Sequence, residues 1–130
     1  MHITNPVIYF EIPVTDLARA KKFYTAVFGF SFDEEVMDGY DMAFFPFNDS
    51  MSGITGALAK GDVYRPSKEG VILYFRTGGM QACLQKVLEQ GGKILYPATV
   101  NEKYGFIVAE FEDSEGNRIA LQQITTRGGQ

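Results

Sequence analysis

The sequence predicts an α+β domain assembled from two tandem β-α-β-β-β modules. Three observations carry this. The chain repeats itself at an offset of 63 residues, the hydrophobic period switches from strand-like to helix-like at the start of each copy, and 130 residues make one domain divisible into two small halves. At that offset Ile8 aligns with Val71, Phe10 with Leu73, Ile12 with Phe75, Leu17 with Met80 and Tyr24 with Val87. Gly29 then aligns with Gly92, Gly53 with Gly116, Ala57 with Ala120 and Leu58 with Leu121. Residues 1–60 form the first module, 61–69 a joint, 70–124 the second module and 125–130 a tail expected to fray.

Taken in order, Pro6–Val14 is rich in β-branched and aromatic residues and reads as a strand. Thr15 or Asp16 can cap a helix in which Leu17, Ala20, Tyr24, Val27 and Phe28 share one face, with Gly29 as its stop. Strands follow at Phe30–Glu35, Tyr40–Phe47 and Gly53–Ala59. The joint Lys60–Glu69 is polar, with Gly61 and Pro66 as breakers, and places Tyr64 and Arg65 within reach of a pocket mouth. The second module opens with strand Gly70–Thr77. Its helix carries Met80, Cys83, Leu84, Val87 and Leu88 on one face and stops at Gly91-Gly92. Strands Lys93–Tyr96, Tyr104–Glu112 and Asn117–Ile124 complete it, the last two joined by a tight turn at Ser114–Asn117.

Composition narrows the function classes. A net charge of −4 and an isoelectric point near 4.9 argue against a nucleic-acid footprint. The single Cys allows no intrachain disulfide and fits a reducing compartment; no apolar stretch spans a membrane and no leader is evident, so the expected location is cytoplasmic. His2 is the only histidine, which removes Ser-His, Cys-His and His-based metal sites from a single chain. Cys83 reads as buried filler and the acidic run Asp33–Glu35 as a solvated edge.

Four motifs, FEIPVTDLARAKKFYTAVFGF at 10–30, GITGALAKGDVYRPSKEG at 53–70, LEQGGKILYP at 88–97 and FEDSEGNRIALQQ at 111–123, resemble the vicinal oxygen chelate superfamily. That superfamily holds glyoxalase I, extradiol dioxygenases and bleomycin-resistance proteins, and small stand-alone proteins related to lactoylglutathione lyase are most similar. The resemblance implies a curled, cup-like mixed sheet with helices packed outside, and a homodimer with cups at module interfaces. In metal-dependent relatives the first and last strands of each module supply His, Gln or Glu ligands. Carried over by motif position, those places fall on Tyr9, Ala57, Ile72 and Ala120. None offers a carboxylate or imidazole, so no metal and no other cofactor is expected.

Side chains sharing strand parity with those four should line the same cup: Glu11, Tyr74, Arg76, Arg118 and Gln122, together with Thr55 and Ala59. Phe45, Phe47, Phe106 and Val108 are expected as walls. Tyr9, Glu11, Ala57, Ile72, Tyr74, Arg76, Arg118, Ala120 and Gln122 are thus the expected ligand-binding residues. Glu11 interrupts an apolar strand, and two readings stay open for it: a general acid or base, or an ion-pair partner of Arg76 or Arg118. Arg76 and Arg118 can hold a ligand carboxylate. The resulting expectation is a protein that binds an aromatic or amphipathic small molecule in the cup without a metal. The alternative is a metal-independent, glyoxalase-related lyase or isomerase using Glu11. A metal held by other ligands, such as Glu11 with Glu110 or with His2 of a second copy, is a third possibility. Neither nucleic acid nor membrane is an expected partner.

Overall fold

A computed structural model describes residues 4–125, so His2 and all of the tail beyond Thr125 lie outside the described residues. The element order is β1 (Tyr9–Val14), α1 (Leu17–Phe28), β2 (Asp33–Met37), β3 (Tyr40–Phe44) and β4 (Thr55–Lys60) in the first half. It continues with β5 (Leu73–Arg76), α2 (Met80–Glu89), β6 (Lys93–Asn101), β7 (Phe106–Glu112) and β8 (Arg118–Ile124). The strands form two four-stranded sheets, ordered β1-β4-β3-β2 and β5-β8-β7-β6, in which only β1·β4 and β5·β8 are parallel. Registers repeat with the sequence offset: Glu11 pairs with Ala57, and Tyr74, 63 positions on, pairs with Ala120. Each module keeps its own sheet, and no ladder joins the two among the described residues.

Local chemistry sets the boundaries. Asp16 rather than Thr15 caps α1, accepting the Arg19 backbone N–H at 2.9 Å, and Gly29 closes the helix at φ 82°. β2 begins at Asp33 instead of Phe30, because the Phe30 and Phe32 rings turn into the aromatic core as an irregular segment. Its end is a two-residue hairpin turn in which Asp38 and Gly39 both take positive φ, which suits the right-handed twist of the flanking strands. β3 stops at Phe44, and Pro46, lacking an N–H, cannot extend the ladder. β6 runs on to Asn101 and carries Pro97 inside the register shift between Tyr96 and Thr99, where the missing N–H does no harm.

Both sheets turn a core face inward onto one cluster. Phe10, Ile12 and Val14 of β1, Leu58 of β4, Phe75 of β5, Phe111 of β7 and Ile119 and Leu121 of β8 meet the apolar faces of α1 and α2 there. The rings of Phe10, Tyr24, Phe28, Phe30 and Phe45 all pack on Phe75, which locks the two modules together. A fully buried ring such as Tyr24 contributes roughly 1.5–3 kcal/mol, and the half-buried Phe10, Phe28, Phe30 and Phe75 less. Phe45, 6% exposed, also belongs to this core.

A polar seam adds specificity. The β7–β8 turn reaches across to α1, where the Glu115 carboxylate accepts from Thr15 N, Thr15 Oγ1, Asp16 N and Arg19 Nε. Beneath it, the buried Asp113 carboxylate accepts from Tyr24 Oη at 2.7 Å and from Asn117, whose amide also donates to the Pro13 carbonyl. A turn read from sequence as a simple hairpin is thus also the clasp between modules. No helix among the described residues is long and apolar enough to cross a membrane.

Candidate functional site: two ligand faces and a seam cavity

Because the core takes one face of each sheet, the opposite faces look outward. On the first sheet, strand pairing lines up Glu11, Ala57 and Phe44 in one row and Pro13, Ala59 and Met42 in the next, with Tyr9 beside Thr55. On the second, it lines up Tyr74, Ala120 and Glu110, then Arg76, Gln122 and Val108, then Arg118 beside Glu112. Ile72 stands one residue before β5. The parity expectation therefore holds strand by strand, Phe106 and Val108 included. The structure distributes the expected residues over two separate sheets, eight of them on β1, β4, β5 and β8 and Ile72 just before β5.

The first face carries its own cover. Tyr64, from the joint, lies over Ala57, Ala59 and Met42, with its ring edge-on to Tyr40 at 5.4 Å. Its hydroxyl donates to Glu11 Oε1 at 2.8 Å, while the Tyr9 hydroxyl donates to Oε2 at 3.0 Å. Burial, then the Glu11 hydrogen bond and charge, pushes the Tyr9 phenol up to about 12; for Tyr64 the Glu11 hydrogen bond comes first and the result is again about 12. Glu11 itself is exposed rather than sunk in an apolar strand, since its side chain is on the outer face. It pairs with neither arginine. Arg118 instead binds Glu110 at 2.5 Å, and Arg76 donates to Ser52 O at 3.2 Å, because each guanidinium finds an acceptor within its own neighbourhood first. Glu110 thus pairs with Arg118 on the second sheet, and Glu11 with Tyr9 and with Tyr64 of the joint.

Where the ends of β4 and β5 approach each other, a cavity of about 500 Å³ opens. Phe10, Phe45, Phe47 and Phe75 form much of its wall, and Thr55, Tyr74 and Arg76 bring ligand-face side chains to it. The 46–54 loop closes one side through Met51, Ser52 and Ile54. Gly53, at φ 108°, leaves room for the guanidinium: a Cβ there would stand 3.2 Å from an Arg76 terminal nitrogen. A smaller cavity of about 260 Å³ between β1 and the joint is lined by Glu11, Arg65 and Arg118. Tyr9, Ala57, Ile72, Ala120 and Gln122 line neither. Phe47 is among the walls expected from the sequence, whereas Met51, Ser52 and Ile54 are not; the visible signal of this loop is large apolar side chains set among Asn, Asp and Ser.

The glyoxalase/bleomycin resistance protein/dioxygenase superfamily model matches residues 4–121. The chain belongs to this superfamily. A "glyoxylase-like domain-containing protein" of Didymella fabae is 30% identical over 122 residues, covering 92% of this chain and 91% of that one. Among solved structures, a glyoxalase/bleomycin resistance protein/dioxygenase family enzyme of Burkholderia phytofirmans superposes with a TM-score of 0.70 at 16% identity, over 89% of this chain and 96% of that one. TnmS3, an antibiotic binding protein from a Streptomyces species, gives 0.65 at 21% identity, over 95% and 100%. At these identities the two structures speak for the superfamily fold alone.

Proposed function

We propose that this superfamily member binds an aromatic or amphipathic small molecule without the metal its metal-dependent relatives use. The observation that carries the reading is the seam cavity, apolar and of ligand size, with a few polar side chains converging on its mouth. The residues at the inferred metal positions do not fit a divalent ion. Ala57, Ile72 and Ala120 have no donor atom, the Tyr9 phenol stays neutral up to about 12, and no group of three or more His, Cys, Asp or Glu among the described residues could hold one. The antibiotic-binding description of TnmS3 supports a ligand-carrying role on this fold. Thr55, Tyr74 and Arg76 are the polar contacts of this reading, and the exposed Tyr9 and Tyr74 faces are what a second copy would cover in a homodimer.

The alternative, a lyase or isomerase in which Glu11 moves a proton, is less favoured because both its carboxylate oxygens already accept phenol hydrogens. Calorimetric titration with naphthalene-2-acetamide tests the main reading. Saturable binding to the native protein and its loss in Ile54→Trp, which fills the cavity, are expected. Absence of binding, or binding that survives Ile54→Trp, defeats it, and a stoichiometric metal in untagged protein defeats the metal-free part. Any turnover found and abolished by Glu11→Gln would favour the enzyme.

A further inference from the structure

We propose that the seam cavity selects carboxylate-bearing guests, with Arg76 as the residue that sets the preference. This rests on the reading of that cavity as the ligand site and deepens it by naming the charge of the guest. Among the described residues that line the cavity, Arg76 is the one ionised group, with no Asp or Glu facing the space. Its terminal nitrogen donates only to neutral acceptors, Ser52 O at 3.2 Å and Ser52 Oγ at 3.4 Å. Arg19 and Arg118 are engaged by Glu115 and Glu110, whereas Arg76 has no carboxylate partner among the described residues. Gly53 keeps the niche beside that guanidinium open.

The physical argument follows from the surroundings. A guanidinium presents paired N–H donors matched to the two oxygens of a carboxylate. The Phe47, Met51, Ile54 and Phe75 side chains line the same space, so an apolar guest body held there would shield that pairing from water. A cationic guest would meet the same guanidinium with no counter-charge, and a neutral guest would leave it bound only to Ser52. The wall of aromatic rings suits a flat apolar body and the mouth suits a single negative charge. The expected guest class is an aromatic monocarboxylate, despite the chain's overall charge of −4.

The test compares naphthalene-2-acetate with naphthalene-2-acetamide, two guests of one shape and different charge, by calorimetry on the full chain. The acetate is expected to bind at least about tenfold more tightly than the amide, consistent with a hydrogen bond to a charged group. In Arg76→Gln that gap should collapse to within about twofold, and Arg76→Lys should restore part of it. Because Arg76 is exposed, an unchanged melting temperature in these variants checks that the fold is intact. Equal affinities in the native protein, or a gap that survives Arg76→Gln, overturns the charge preference and leaves the cavity reading standing. If neither compound binds, both fall together.

Discussion

The Tyr64 phenol donates to Glu11 Oε1 at 2.8 Å, tying the joint to a strand 53 residues earlier in the chain. Since Tyr9 donates to the other oxygen, one carboxylate organises two phenols and holds a cover over Ala57 and Ala59. Both phenols are expected to ionise near 12 in an ultraviolet titration. In Glu11→Gln the Tyr64 transition should move down toward the ordinary ~10, and Tyr9 less far, because burial is the larger influence there. A raised folded pKa means the native state binds more protons than the unfolded chain between about 10 and 12, so stability should fall across that window. Difference spectra of the variant against the native protein check this.

Glu115 works at the other end of the scale. Burial opposes its charge, but the Arg19 guanidinium, the Thr15 and Asp16 backbone N–H groups and the Thr15 hydroxyl outweigh it and bring its pKa down to about 2. A depressed carboxylate contributes stability above its unfolded pKa and loses it as pH falls through the folded one. The melting temperature should therefore drop between about pH 5 and pH 2, and Glu115→Gln should flatten that slope. Asp113, whose pKa is raised by burial, has the opposite sign and offsets part of the drop. At neutral pH, Glu115→Ala should cost ~2–4 kcal/mol, because it strips the acceptor from a charged group and two backbone donors.

Much of this architecture is visible in the sequence because its devices are local. Asp16 and Gly29 bracket α1, Leu17 and Met80 start helices 63 residues apart, and strand alternation correctly assigns Glu11, Tyr74, Ala57 and Ala120 to outer faces. The same alternation cannot say how the two sheets meet, because that depends on which faces share a core. Phe45 and Phe75 settle it by packing on each other across the modules, 30 positions apart. Nor could alternation place Tyr64 on Glu11 or Ser52 on Arg76. Those contacts come from irregular segments with no period to read.

Tyr24→Phe isolates the buried half of the clasp. The Tyr24 hydroxyl is fully enclosed and its bond to Asp113 is 2.7 Å. Losing it leaves a buried carboxylate short of a donor, which should cost ~1–3 kcal/mol by chemical denaturation. A drop in the denaturation midpoint with an unchanged slope is the expected signature.

Gly56→Ala is expected to be among the more damaging single-methyl additions. Gly56 sits opposite Phe10 in the parallel β1·β4 ladder, and a Cβ there would run into the Phe10 carbonyl oxygen and ring. No flexible end can give way, so a loss of about 3 kcal/mol is expected, read as a lower melting temperature. Gly29→Ala tests a different penalty, positive φ without crowding, and should cost less.

The loop from 46 to 54 forms one side of the cavity yet contributes no strand to either sheet. Phe47, Met51 and Ile54 are exposed and attached to irregular backbone, so exchanging them leaves the sheet ladders and the Phe75 ring cluster untouched. In the proposed reading, guest shape would drift by substitution in one short stretch while the charge preference rests on Arg76 of β5. Selectivity for size and selectivity for charge would then be housed on separate halves of the chain, free to evolve at different rates.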